Sequence, residues 1–212
     1  MKTSELISSL VEDHAALKPV RRAHSLLRIA VGVMVSLAVF FAFLGVRPDF
    51  SQAVTDPRIL FKFAISSALV VTLFPLAVMS LRPEFRPSEF LYWLIVPALV
   101  LLIGIVIQIA SCETGTCIQG MIGNYPMACL RNIPALALGP FIALLTILRY
   151  GAPSEPTCGA AIAGAASGGI GAFIYAFHCP DDSSLFVALW YMSAVGLMTL
   201  AGAVIGSRIL KW

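Results

Sequence analysis

The sequence predicts an all-α membrane protein, a six-transmembrane-helix bundle over residues 26–212 preceded by a short amphipathic cytoplasmic segment over residues 1–25. Three observations predict it. Of 212 residues, 59% are hydrophobic and 12% charged, with a mean hydropathy of +0.92. An average soluble domain carries about 25% charged residues, and a chain this small cannot hide such an apolar excess from water. Uncharged runs long enough to cross a bilayer recur six times. Within them, stretches such as IAVGVMVSLAVFFAFLGV show no period of two, which excludes the strands of a membrane barrel.

The runs are Ile29–Val46, Phe63–Leu81, Phe90–Cys112, Asn132–Leu148, Pro156–Pro180 and Ser183–Ser207. A helix needs roughly 20 apolar residues to cross about 30 Å of hydrocarbon. The fourth run is the shortest, and it extends to Leu130 and Tyr150 at its two ends. The first is no cleaved signal peptide, because a 25-residue polar leader precedes it and five further spans follow.

Charge outside the runs orients the bundle. Lys2, Lys18, Arg21, Arg22, Arg28, Arg82, Arg86, Arg149, Arg208 and Lys211 fall on one side, against Arg47, Arg58, Lys62 and Arg131 on the other. The excess of positive charge belongs inside, so both termini are expected in the cytoplasm. The net charge of +3 is spread over every loop. It forms no basic stripe to track phosphates, so no direct contact with nucleic acid is expected.

Inside the runs the polar residues are Gln108 and scattered Ser and Thr. Ion pathways and proton relays use intramembrane acids, bases or histidines, and none is expected at mid-depth, which disfavours a metal exporter. The fifth run is rich in glycine and alanine. Gly164 and Gly168, like Gly202 and Gly206 in the sixth, form GxxxG pairs. Close packing of these two helices within one bundle is the expected use.

In the leader, Leu6, Ile7, Leu10, Val11 and Leu17 recur at helical spacing and Pro19 closes the segment. About four turns are marginal for an isolated helix. The face therefore lies either on the lipid surface, with Lys18, Arg21 and Arg22 against head groups, or in a protein groove.

Of five cysteines, Cys112, Cys117, Cys129 and Cys179 fall on the outer side, and Cys158 at the opposite end packs as a small apolar residue. Four oxidisable cysteines allow three pairings, among which spacing does not choose. Cys112 and Cys117 flank Glu-Thr-Gly-Thr and can close a local disulfide. Arg131 is expected to favour a thiolate at Cys129. At Cys179 the acids of His178-Cys179-Pro180-Asp181-Asp182 oppose a thiolate unless a cation is bound, and this crowd of donors is a candidate for zinc or a softer thiophilic ion. From spacing alone, a structural disulfide is the plainer reading.

The leader MKTSELISSL, the segment Cys129-Leu-Arg-Asn-Ile-Pro134, Gly-Ala-Pro153, and the block Tyr175-Ala-Phe-His-Cys-Pro-Asp-Asp-Ser183 through Phe186-Val-Ala-Leu-Trp-Tyr191 resemble the NrsF family over essentially the whole chain. These are six-span bacterial inner-membrane anti-sigma factors that hold an extracytoplasmic-function sigma factor at the membrane. The resemblance implies no enzyme and no required cofactor. It implies that the leader, through Leu6, Ile7, Leu10, Val11 and Leu17, holds the sigma factor. It also implies that Cys129 and Cys179 sense heavy-metal or oxidant stress, with His178, Asp181 and Asp182 as helpers to a thiophilic metal ion acting as the signal. Cys112 and Cys117 lie outside that pattern and stand as accessory cysteines. The rival expectation is a membrane thiol-disulfide oxidoreductase working through its outer cysteines. That class uses closely spaced pairs such as CxxC, which only Cys112 and Cys117 approach.

Overall fold

In the computed structural model, residues 22–82, 84–86, 88, 91–151 and 155–209 are described. The leader's predicted helical face, Leu6 to Leu17, lies outside them. The helices are α1 (Arg22–Phe43), α2 (Phe50–Ala53), α3 (Pro57–Met79), α4 (Ile95–Ser111, entered through a 3-10 turn at Leu91–Leu94), α5 (Thr114–Ile122), α6 (Pro126–Tyr150), α7 (Pro156–Tyr175), α8 (Ser184–Phe186) and α9 (Met192–Ile209). A π-helical segment, Val187–Tyr191, joins α8 to α9 in one continuous span. Six of the helical stretches are long and apolar enough to cross a membrane.

The helix starts follow local chemistry. Pro57, Pro126 and Pro156 open α3, α6 and α7, where a missing N–H costs nothing and the fixed φ is already helical. At α3 the Asp56 carboxylate also accepts from Arg58 N at 2.8 Å. The helix boundaries differ from the charge-free runs, and three of the differences bear on the site. Helix α3 begins at Pro57, so Lys62 lies inside it. Helix α6 begins at Pro126, because Arg131 sits on its exposed face and marks no boundary. Helix α7 stops at Tyr175, and the chain up to Pro180 is not helical.

Helix α7 is the axis of the bundle, with α9, α6 and α3 against it, α1 outside α6, and α4 outside α3. Lipid tails are as apolar as leucine, so contact between spans relies on close backbone approach. The predicted glycine pairs supply it. A Cβ at Gly164 would sit on the Met198 carbonyl, and one at Gly202 on the Ala160 carbonyl. Gly32 and Gly139 bring α1 and α6 together in the same way, and Ser36 Oγ donates across that contact to Leu136 O at 2.6 Å. Other hydroxyls bond back into their own helices, as Thr72 does to Ala68 O and Ser167 to Ala163 O.

Two ends result. At one, the Arg28 guanidinium lies over the Tyr150 ring at 4.9 Å, close to the partly exposed Cys158 end of α7. At the other gather the turn after α1, the start of α3, α5, the start of α6 and the loop from α7 to α8. We call this the thiol end.

Candidate functional site: a buried dithiol

Cys129 occupies the first turn of α6 and Cys179 the loop after α7. They are 50 residues apart in the chain, yet both are fully buried and their thiols are near enough for each to shift the other's proton. Both are free thiols. Tyr175 and Tyr191, equally buried and 6.0 Å apart between ring centres, complete the walls. The Tyr191 hydroxyl faces the Cys179 sulfur and has no well-formed hydrogen bond.

The loop that carries Cys179 is held by its backbone and acids. Cys179 N donates to Tyr175 O at 3.1 Å, and its thiol reaches Asp181 O at 3.7 Å. Lys62, with no exposed surface, donates from Nζ to Cys179 O at 2.8 Å and to Asp181 O at 3.3 Å, and pairs with the Asp182 carboxylate. Arg47 bonds the other Asp182 oxygen at 2.8 Å, Cys179 O at 3.3 Å and, through two nitrogens, Asp49. These carboxylates hold the Arg47 guanidinium protonated well above its ordinary value, and the Arg47 hydrogen bonds hold the Asp49 carboxyl below its own.

The Cys179 thiol is shifted down. The largest cause is the hydrogen bond from Cys129; burial opposes it, and the Lys62 ammonium adds to it. A buried thiolate needs compensating charge, and Lys62 is the cation that the sequence left unspecified. This corrects two expectations. Arg131 is exposed and donates from Nε to Asn132 Oδ1, while the ammonium that favours a thiolate is Lys62 and the sulfur it favours is Cys179. Lys62, assigned to a loop by its charge, is an ionisable group within a span, tolerated because three acceptors surround it.

The expected helpers are occupied elsewhere. His178 Nδ1 donates to Gly45 O at 3.0 Å. The Asp181 carboxylate accepts from Asn124 N, Asn124 Nδ2 and Tyr125 N. Asp182 is shared between Lys62 and Arg47. Among the described residues, no three His, Cys, Asp or Glu side chains converge as metal ligands. The donor set of the dithiol therefore suits a two-coordinate thiophilic ion and not a tetrahedral zinc. Cys112 and Cys117 form their own disulfide at the start of α5.

The fold and site define a multi-pass membrane protein with a sealed dithiol at one end. The family of negative regulators of sigma F matches residues 10–212. The chain is 32% identical to the anti-sigma-F factor NrsF of Caulobacter vibrioides (strain NA1000 / CB15N), with all of both chains covered. It is 25% identical, again over all of both, to the "Probable anti-sigma-F factor NrsF" of Azospira oryzae (strain ATCC BAA-33 / DSM 13638 / PS). No solved structure matches.

The chain belongs to the NrsF family. It is an anti-sigma factor, a regulator and not an enzyme, which displaces the oxidoreductase reading.

Proposed function

We propose that this protein holds a sigma factor of the sigma F type at the inner face of the bacterial inner membrane, and releases it when the Cys129–Cys179 pair reacts. The excess of basic residues at the end opposite the thiols supports cytoplasmic termini. The leader is then on the same side as the transcription machinery, and Leu6, Ile7, Leu10, Val11 and Leu17 are its sigma-binding face.

The observation that carries the reading is the meeting of two free thiols, 50 residues apart in sequence, beside a buried lysine. Two reactions suit that pair. A two-electron oxidant such as a peroxide takes two electrons and two protons from the thiols, which join as a disulfide while the oxidant is reduced. Alternatively a thiophilic heavy-metal ion replaces both protons and bridges the sulfurs. Either change ties the start of α6 to the end of α7. Closely packed helices shift between discrete arrangements, and the reacting ligand must favour the releasing arrangement by several kcal/mol to empty the complex.

The test is the membrane-bound fraction of the sigma factor, before and after peroxide or mercury(II). Cys129→Ser with Cys179→Ser keeps the sigma factor bound under both conditions, and removal of residues 1–25 frees it under both. A normal release from the double serine variant defeats the sensing reading, and retention by the truncated chain defeats the leader's role.

A further inference from the structure

Neither sulfur of the dithiol touches water, since both Cys129 and Cys179 have no exposed surface. A dissolved reagent reaches them only if some cover moves. Across the Cys179 loop lie α5 and the turn Gly123–Tyr125. Their hold on the loop is concentrated at Asp181, whose carboxylate accepts from Asn124 N at 3.1 Å, Asn124 Nδ2 at 2.9 Å and Tyr125 N at 3.1 Å. A second pin is Trp190 Nε1, which donates to Met121 O at 3.1 Å.

The rest of the segment is lightly packed. Ile118 and Ile122 are each 52% exposed. Gly123, at φ +66°, adopts the left-handed conformation that favours glycine, and its α face lies against the Phe186 ring. At the far end the Cys112–Cys117 disulfide fixes the first turn of α5 to the end of α4. Between α5 and the loop is a cavity of about 470 Å³, lined by Gln119, Gly123, Asn124, Pro180, Asp181 and Ser183. The Ser183 hydroxyl is buried without a hydrogen-bond partner.

We propose that Thr114–Tyr125 is a lid, latched by Asp181 and Trp190 and stapled by Cys112–Cys117, whose opening sets how fast an aqueous reagent reaches Cys179. The inference rests on the dithiol being the responsive site, and it names what regulates that site. Opening exchanges a few polar hydrogen bonds for bonds to water and leaves the packing of α7 with α9 intact, so it belongs to the low-cost local motions of a fold. The accessory cysteines then hold the lid's hinge and do not react with the signal.

The lid can be locked. A Cβ placed on Gly120 lies 3.7 Å from the Ser183 Cβ, within the span of a disulfide. Gly120→Cys with Ser183→Cys is made in a Cys112→Ser, Cys117→Ser background. The full chain in lipid nanodiscs is treated with N-ethylmaleimide, and labelling at Cys179 is followed by mass spectrometry. The locked form labels about tenfold more slowly than the same protein reduced with a phosphine that is removed before labelling. Equal rates overturn the lid and direct the route to the cavity between α3 and α4, which also reaches Asp182.

Trp190→Phe provides a second measurement without new cysteines. It removes one pin, keeps an aromatic ring, and speeds labelling about threefold; an unchanged or slower rate contradicts the proposal. No sigma factor is present in these assays. If the locked form labels slowly but the dithiol variants still release the sigma factor normally, the sensing reading fails and the lid stands.

Discussion

The chain contains two cysteine pairs built on opposite principles. Cys112 and Cys117 are five residues apart, joined, and attached to a helix whose outer face is exposed. Cys129 and Cys179 are 50 residues apart, unjoined, and sealed between two tyrosines and a lysine. The first pair needs only local chain geometry to meet. The second meets only if α6 and α7 have packed correctly and the 176–183 loop is pinned by Lys62 and Arg47. A pair that depends on the packing of two spans can report on and alter that packing. A pair closed within one short loop cannot.

The largest expected effect comes from removing the cation. Lys62→Met leaves the Asp182 carboxylate with Arg47 alone and two buried carbonyls without their ammonium, a loss of about 1–3 kcal/mol. Thermal unfolding in detergent should show that loss. With the lowered thiol, the sign with pH is determined: a depressed folded value adds stability that is present above the unfolded thiol value and lost as pH falls through the folded one. In wild type, maleimide labelling of Cys179 therefore rises at a lower pH than for an ordinary cysteine. In Lys62→Met the curve moves back up, and an unmoved curve would remove Lys62 from the account.

A smaller effect sharpens the contrast between the pairs. Cys112→Ser with Cys117→Ser retains the peroxide-triggered release of the sigma factor, and the half-time of that release shortens about threefold as the lid loosens. Complete loss of response in that variant would mean that the two pairs are not separate in function.

The smallest effect is no change at all. Arg131→Gln alters an exposed side chain whose hydrogen bond goes to Asn132 Oδ1. Its stability should stay within about 0.5 kcal/mol of wild type, with the pH profile of Cys179 labelling unchanged. A shifted profile would restore Arg131 as the charge that governs the dithiol.

Much of the fold was legible in the residues. Six spans, the pairing of α7 with α9 through Gly164, Gly168, Gly202 and Gly206, and the local disulfide option at Cys112 and Cys117 all depend on neighbours in sequence or on a helical period. The boundaries were less legible. Charge marks water only on average: Lys62 is buried among acceptors and Arg131 rides on the surface of a helix. The side chains beside Cys179 show the same limit of local pattern. His178, Asp181 and Asp182 are adjacent to Cys179 in the chain, but their side chains bond Gly45, Asn124, Tyr125, Lys62 and Arg47.

The sequence by itself determined that this chain lives in a bilayer, how many times it crosses, and where small residues let helices touch, because hydropathy and helical period act over short stretches of chain. Only the tertiary structure decided which sulfurs meet, which cation stands beside them, and that both are shut away from water. Those outcomes depend on groups brought together across 50 to 135 residues, and no local pattern encodes a partner at that distance.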